Sequence, residues 1–243
     1  MASHGVLLLH GLSSSLATVA GLVPHLRDAG YVFRMPVLRG HGATPEALHG
    51  VRARDWIDDA ASALDDLLAE VDQAFVVGVS MGGLVALTLA MEHPERLAGV
   101  VTLAAALRFV DPLAPFSPYL GWARPRVPVP GAEPDEGYVA TSYSWIPVKS
   151  FEEVYLLGRT VESRLDAVQA PLLAVGAERD RVVRPECARI IAERAGSSSK
   201  QLRMFAQSGH EMLQSREKDA VMATVMEFLA VRAGREVPRL GTR

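Results

Sequence analysis

Cysteine is almost absent from this chain, which has only Cys187 among its 243 residues. A single cysteine excludes an internal disulfide and a zinc site built from cysteine thiolates. Long hydrophobic runs are missing as well. The longest apolar run near the start, residues 6–9, is too short for the core of a signal peptide. No window approaches the ~20 apolar residues of a membrane-spanning helix. We therefore expect a soluble, cytoplasmic protein without an integral membrane segment.

The chain also lacks an excess of charge of either sign. Its 25 Lys and Arg residues nearly balance its 28 Asp and Glu residues, for a formal net charge of -3. Nucleic-acid binding, which needs a concentrated basic face, is not expected. Clusters of histidine and carboxylate with metal-ligand spacing are absent, and so is the dinucleotide pattern G-x-G-x-x-G. We expect no metal and no cofactor, and oligomeric state is left open.

Short apolar runs alternate with segments of helical periodicity along most of the chain. The strand candidates are residues 6–10, 31–35, 74–79, 99–103, 171–175 and 201–205. The helix candidates are residues 55–71, 81–92, 185–195 and 216–233. Strands that are apolar along their whole length are typical of a parallel sheet covered on both faces. The alternation predicts an α/β fold, with a mostly parallel, doubly wound sheet of about six strands flanked by helices.

The alternation stops between residues 107 and 164. Eight of the 15 prolines lie between Pro112 and Pro147, and four of the five tyrosines lie between Tyr119 and Tyr155. Prolines at this density exclude a long helix through residues 112–134. A flexible linker is rarely so aromatic. We therefore predict a core formed by residues 1–106 and 165–243, with an inserted lid formed by residues 107–164.

The segment Gly78-Val79-Ser80-Met81-Gly82 matches the pattern G-x-S-x-G. It follows the apolar run 74–79 and precedes the predicted helix 81–92, which is the context of a nucleophile elbow. Such a turn lifts the serine hydroxyl above the carboxyl edge of the sheet, at a helix N-terminus that favours negative charge. A plain strand-to-helix turn with small residues is the alternative. We predict that Ser80 is a catalytic nucleophile.

A serine hydroxyl needs a base, and the base needs an acidic partner. Among the seven histidines, His210 follows the last predicted strand directly, so its loop returns to the carboxyl edge of the sheet. Asp180 lies four residues beyond the strand that ends at Gly176, and it is the favoured acid. Glu178 is its main competitor, and Asp166 is a more distant one.

The same chemistry needs two N–H donors for the oxyanion that forms on the substrate. The backbone N–H of Met81, directly after the nucleophile, is one candidate. The N–H of Leu12 is the other, because Gly11 lets the loop after the first strand turn tightly. His10 is expected to support this loop. The glycine-rich segment Arg39-Gly40-His41-Gly42 is expected to border the site.

Five motifs together carry a family resemblance: His10-Gly11-Leu12, Arg39-Gly40-His41-Gly42, Gly78-Val79-Ser80-Met81-Gly82, Asp180 and Ser208-Gly209-His210. The chain resembles the small bacterial carboxylesterases related to monoacylglycerol lipases, within the α/β-hydrolase superfamily. The order serine, aspartate, histidine is that of the superfamily. The resemblance covers residues 5–106 and 165–229. It implies cofactor-free hydrolysis of short- to medium-chain acyl esters or monoacylglycerols beneath a small lid. Lids in that family are largely helical, whereas residues 109–134 are broken by prolines, so substrate choice transfers least well.

The resulting hypothesis is a serine carboxylesterase that acts on a small-molecule ester through an acyl-enzyme. Substrate-binding candidates, chosen for their closeness to the motifs, are Trp122, Trp145, Val182 and Met212, with Leu12 and Met81 as further apolar candidates. Other reactions of the same triad, such as amide or C–C bond hydrolysis, remain alternatives. A ligand-binding protein on the same scaffold is another. A haloalkane dehalogenase is disfavoured because its nucleophile would be an aspartate, and position 80 is serine.

Overall fold

A six-stranded, wholly parallel sheet forms the centre of the computed structural model, which describes residues 3–120, 125–129 and 143–237. The strands are β1 His4–Leu9, β2 Val32–Arg34, β3 Gln73–Val79, β4 Leu97–Leu103, β7 Leu172–Ala177 and β8 Lys200–Phe205. Their order across the sheet is β2-β1-β3-β4-β7-β8. This architecture confirms the predicted α/β fold.

The burial of the strands explains their composition. β1 and β7 are buried at every residue, and β3 and β4 at all but one. Along β1, Leu7 and Leu9 belong to the apolar cluster on one face of the sheet, while Val6 and Leu8 belong to the cluster on the other face. Such strands must be apolar on both sides, because helices cover both faces.

The helices divide between the two faces. Those of the described chain are α1 Ala17–Ala20, α2 Val23–Asp28, α3 Ala53–Leu68, α4 Met81–Glu92, α5 Ser117–Leu120, α6 Val148–Ser163, α7 Glu186–Arg194 and α8 Lys218–Arg232. α3, α4, α6 and α7 contribute to one apolar cluster, and α1, α2 and α8 contribute to the other. α4 is buried from Met81 to Ala90, which places its N-terminus, and Ser80 before it, at the centre of the fold.

The chain between β4 and β7 departs from the strand–helix alternation, as expected. Its described part contains a 3₁₀ turn Ala114–Phe116, the short helix α5, an antiparallel pair formed by β5 Arg126–Pro128 and β6 Trp145–Pro147, and α6. Within the described residues of the proline-rich stretch 112–134, α5 is the longest helix, with four residues. We call residues 107–164 the insertion segment; its boundaries stay a prediction.

The parallel order sets the position of the candidate site. The loops that follow β1, β3, β7 and β8 all leave the sheet at its carboxyl edge, and these loops contain Gly11, Ser80, Asp180 and His210. Ligands of open α/β sheets bind at this edge.

Candidate active site

Ser80 occupies a sharp turn between β3 and α4 and has a positive φ of 53° with a ψ of -115°. Non-glycine residues adopt such angles at a cost of about 1–3 kcal/mol, and the surrounding structure must hold them there. The two glycines of the motif allow the tight packing. A Cβ on Gly78 would overlap the backbone of Gly82, and a Cβ on Gly82 would lie 2.6 Å from the carbonyl oxygen of His10. The motif thus places Ser80 at the N-terminus of α4, and Gly78 and Gly82 pack directly against neighbouring backbone.

Ser80, His210 and Asp180 form one continuous hydrogen-bonded chain. The distance from Ser80 Oγ to His210 Nε2 is 3.0 Å, and the distance from His210 Nδ1 to Asp180 Oδ2 is 2.8 Å. A carboxylate oxygen can only accept, so the Nδ1 proton points to Asp180 and Nε2 is free to accept the Ser80 proton. This arrangement can activate the hydroxyl as a nucleophile.

Asp180 is held by its own loop. Its second carboxylate oxygen, Oδ1, accepts hydrogen bonds from the backbone N–H groups of Val182 at 2.8 Å and Val183 at 2.9 Å. The side chain is only 2% exposed. The two competing carboxylates lie elsewhere: Glu178 is exposed and pairs with Arg189 at 3.0 Å, and Asp166 is exposed in a 3₁₀ turn. The geometry therefore brings Asp180, of the three, to His210.

The environment of His210 favours the protonated imidazole. Burial lowers the pKa of His210, but the negative charge and the hydrogen bond of Asp180, together with the charge of Glu211, raise it above its ordinary value of 6.5. A base with a raised pKa is a stronger proton acceptor in the step that activates the serine.

The loop after β1 lies directly against Ser80, since a Cβ on Gly11 would be 3.3 Å from Ser80 Cβ. The carbonyl oxygen of Gly11 accepts two hydrogen bonds, from His10 Nδ1 at 2.9 Å and from Ser14 Oγ at 2.7 Å. This carbonyl belongs to the same trans peptide unit as the Leu12 N–H, so the two groups point in opposite directions. The two hydrogen bonds therefore fix the direction of the Leu12 N–H.

His10 is itself locked in one tautomer. Its Nε2 accepts a hydrogen bond from the backbone N–H of Leu38 at 3.1 Å, which leaves the ring proton on Nδ1, facing Gly11. Burial lowers the pKa of His10, so the ring is neutral at pH 7. The His41 ring contacts it edge-on at a centroid distance of 4.7 Å. The glycine-rich segment 39–42 thus borders the site through His10.

The N–H of Met81 belongs to the first turn of α4, where N–H groups have no acceptor within the helix. The Met81 side chain is fully buried in the core. Its contribution to the site can therefore come from the backbone. Leu12 and Met81 stay predictions for the oxyanion hole, and their positions are compatible with that role.

A cavity of about 500 Å³ opens at Ser80 and His210. The insertion segment supplies much of its apolar wall through Phe109, Val127, Ile146, Phe151 and Val154. The loops after β7 and β8 supply polar groups, which include Arg179, Arg181, Gln207, Glu211, Gln214, Ser215 and Arg216. A cavity of this size and mixed lining is typical of a small-molecule site.

The predicted substrate-binding residues differ in position. Val182 and Leu12 line the cavity. Met212 does not; it is 1% exposed and belongs to the apolar cluster that contains α8, because the 3₁₀ turn after His210 directs it into the core. Trp145 lies in β6 with the Arg126 guanidinium 4.0 Å from its ring centroid, and its neighbour Ile146 faces the cavity instead. Trp122 lies outside the described residues.

Sequence reasoning missed the actual apolar wall and Glu211. The aromatic and apolar composition of the insertion segment indicated that it would cover a cleft, but no periodic pattern showed which side chains face inward. Glu211 could have been noticed because it directly follows His210.

The fold and the site geometry define an α/β-hydrolase. The family model Hydrolase_4, described as serine aminopeptidase, S33, matches residues 2–143 and 140–219. The chain belongs to this family.

Relatives of known activity match almost the whole chain. A carboxylesterase of Bacillus subtilis (strain 168) is 28% identical over 226 residues, which cover 92% of this chain and 91% of that protein. A thermostable monoacylglycerol lipase of Bacillus sp. (strain H-257) is 29% identical over 234 residues, which cover 95% of this chain and 92% of that protein. A solved structure of the metagenome-derived lipolytic enzymes LipS and LipT has a TM-score of 0.89 and 30% identity, and the match covers 97% of this chain and 96% of that one. The chain is a carboxylic ester hydrolase of this family, which confirms the predicted class of enzyme.

Within the part of the chain that the structure describes, no helix combines the length and apolarity needed to cross a membrane. The same residues contain no group of three or more histidine, cysteine or acidic side chains arranged to hold a metal ion.

Proposed function

We propose that this protein hydrolyses short- to medium-chain acyl esters or monoacylglycerols through an acyl-enzyme formed on Ser80. The observation that carries the proposal is the hydrogen-bonded chain from Asp180 through His210 to Ser80, which ends in a cavity with an apolar wall. The relatives named carboxylesterase and monoacylglycerol lipase support the same substrate class. The cytoplasmic location expected from the sequence stays a prediction.

The geometry supports a reaction in two steps through an acyl-enzyme. Ser80 Oγ attacks the ester carbonyl carbon while its proton passes to His210 Nε2. The N–H groups of Leu12 and Met81 stabilise the resulting oxyanion. His210 then returns the proton to the alcohol oxygen, the C–O bond breaks, and the alcohol leaves an acyl-Ser80. A water molecule, deprotonated by His210, attacks this ester and releases the carboxylic acid. Asp180 holds the imidazole and stabilises its protonated form.

The decisive measurement is steady-state hydrolysis of p-nitrophenyl esters from acetyl to palmitoyl by the wild type and by Ser80→Ala. We expect kcat/KM to peak at one acyl length, since the apolar wall can hold only a limited chain, and to fall by roughly 10⁴-fold or more in the variant. Circular dichroism checks that the variant is folded. Equal rates for the two proteins on every ester would contradict the proposal.

The pH dependence gives a second readout of the same experiment. Only neutral His210 can accept the serine proton, and its pKa is raised above 6.5 by Asp180 and Glu211 against the opposing effect of burial. The kcat/KM of the wild type should therefore fall as the pH drops through a midpoint above 6.5. A rate that is constant from pH 8 to pH 5 would exclude His210 as the base.

The family description names an aminopeptidase, which cleaves an amide, so amide hydrolysis is the alternative to test. A p-nitroanilide and a p-nitrophenyl ester of the same acid separate the two activities. We expect the ester to be preferred, because the named relatives act on esters. A higher kcat/KM for the anilide would replace esterase by amidase as the function.

A further inference from the structure

Glu211 is a carboxyl group of the cavity that the proposed mechanism does not use. It directly follows His210 and contributes to the cavity lining together with Ser80. Within the described residues, its carboxyl group has no hydrogen-bond or ion-pair partner. Burial raises the pKa of Glu211, the charge of His210 opposes this effect, and the charge of Asp180 adds to it. The residue is only partly exposed to solvent, at the cavity.

The other acidic side chains of the loops after β7 and β8 all have partners. Glu178 pairs with Arg189, and Glu217 accepts from the N–H of Gln207 and the hydroxyl of Ser208, each at 2.8 Å. Asp180 accepts from His210 and from two backbone N–H groups. These groups hold the loops in place, whereas Glu211 makes no such contact. Its carboxyl is left available to a molecule in the cavity.

The mechanism fixes which part of a substrate comes near Glu211. When His210 Nε2 returns its proton, it must contact the oxygen of the leaving alcohol. The alcohol therefore lies beside His210, and Glu211 is the next residue in the chain. The acyl part has the apolar wall of the insertion segment to contact. The lining on the His210 loop is polar and consists mainly of Gln207, Glu211, Gln214, Ser215 and Arg216. We therefore expect the alcohol part of the substrate to bind at the polar part of the cavity lining.

We propose that Glu211 binds a second hydroxyl group on the alcohol part of the substrate, which makes esters of polyols, such as monoacylglycerols, the preferred substrates over simple alkyl esters. The proposal rests on the ester hydrolysis proposed above. A carboxyl oxygen accepts a hydrogen bond from a hydroxyl, and the protonated acid can also donate one. An alcohol with a hydroxyl on a neighbouring carbon places it close to the oxygen that His210 protonates. A cationic alcohol fits less well, since Arg179 also lines the cavity.

The test compares two esters of the same acid, 1-butyrylglycerol and propyl butyrate, which differ only in the two free hydroxyls of the alcohol. The ratio of their kcat/KM values does not depend on the fraction of folded enzyme. We expect Glu211→Ala to lower kcat/KM for the glycerol ester by about 10–100-fold, mainly through KM, as for loss of a hydrogen bond to a charged group. The propyl ester should change by less than about threefold. Glu211→Gln keeps an acceptor oxygen and should retain part of the preference.

Glu178→Ala is the matched control, because it removes a carboxylate from the neighbouring loop that is exposed and paired with Arg189. Glu178→Ala should leave the ratio of kcat/KM for 1-butyrylglycerol to kcat/KM for propyl butyrate unchanged. The measurements are made on the alkaline plateau of the pH profile, because Glu211 also raises the pKa of His210.

Three outcomes would overturn the proposal. Equal losses on both esters would mean that Glu211 acts on His210 and not on the alcohol. A wild-type preference for butyrylcholine that is lost in Glu211→Ala would identify a site for a cation. Unchanged kcat/KM values for both esters would remove Glu211 from substrate recognition. p-Nitrophenyl butyrate is measured in parallel: if the wild type hydrolyses it through Ser80, these outcomes reject the role of Glu211 alone. If the wild-type protein hydrolyses none of these esters, the proposed function is wrong as well.

Discussion

At the scale of single residues, the shape of the site depends on hydrogen bonds that hold the loop after β1. The carbonyl of Gly11 is held by His10 and Ser14, and through the rigid peptide unit it sets the direction of the Leu12 N–H. His10 is held in turn by the N–H of Leu38. A neutral, buried histidine is suited to this task because it donates on one side of the ring and accepts on the other. We regard His10 as a positioning residue for the proposed oxyanion hole.

Replacement of His10 by alanine should lower kcat far more than it changes KM. The Gly11 carbonyl would lose one of the two hydrogen bonds that fix the direction of the Leu12 N–H. Loss of one oxyanion donor typically lowers turnover by about 100–1,000-fold, and this is the largest effect expected for the variant. Folding stability should fall by about 1–3 kcal/mol, since the Leu38 N–H loses its buried acceptor. The measurements are ester kinetics and urea denaturation. His49→Ala, at an exposed position, is the control. A KM effect without a kcat effect would assign His10 to substrate binding.

At the scale of elements, the turn between β3 and α4 is the part of the fold that the sequence specifies most fully. Its glycines are required because backbone from the end of β1 and from α4 occupies the space of a side chain. The turn could therefore be recognised from residues 78–82 together with the apolar run 74–79 before them and the predicted helix 81–92 after them. The four central strands, β1, β3, β4 and β7, could be recognised from their apolar runs, because they are buried on both faces.

The side chains that line the cavity could not be predicted in the same way. Asp180 and His210 each follow a strand of the parallel sheet. Because loops that follow parallel strands lie at the carboxyl edge, the sequence predicted that both residues lie at this edge. Met212 and Trp145 were chosen for closeness in sequence, but adjacent residues in a 3₁₀ turn or a strand point in different directions. Which side chain of the insertion segment faces the cavity depends on long-range packing, for which the single sequence has no periodic signal.

Gly82→Ala should destabilise the protein severely. The new methyl group would meet the carbonyl oxygens of Leu9 and His10, both backbone atoms of a buried strand end that cannot move aside easily. We expect a loss of about 2 kcal/mol or more, or failure to fold, measured by thermal and urea unfolding. Gly209→Ala is the matched control, since its Cβ would lie 3.9 Å from the nearest atom found, the carbonyl oxygen of Arg179. It should change the free energy of unfolding by less than about 1 kcal/mol. Equal effects of the two changes would contradict the packing argument.

At the scale of the whole molecule, the insertion segment shares its core with the sheet. Val154, Leu157 and Val161 of α6 belong to the same apolar cluster as Leu7 of β1 and Trp56 of α3. Polar contacts add to this attachment: Glu153 accepts from the N–H of Ala53 at 2.9 Å, and the Ser150 hydroxyl donates to the Leu48 carbonyl at 3.1 Å. The base of the insertion segment is thus part of the folded core.

This shared core predicts one cooperative unfolding transition. Leu157→Ala should lower the free energy of unfolding by about 2–4 kcal/mol, as expected for a large-to-small change at a buried site. The urea midpoints followed by circular dichroism, tryptophan fluorescence and esterase activity should move together. Leu156→Ala, at the neighbouring position with 44% exposure, is the control and should have a small effect. Loss of activity well before loss of helical signal would show that the insertion segment unfolds on its own.

The chain order separates two tasks. The groups proposed for the chemistry lie on loops after β1, β3, β7 and β8, whereas much of the apolar wall lies on one continuous stretch between β4 and β7. If the proposed function holds, an exchange of that stretch between relatives would alter the proposed acyl pocket and leave Ser80, Asp180 and His210 in place. Changes confined to one segment of the chain could therefore alter which carboxylic acids a family member accepts, while the catalytic groups and the reaction stay the same.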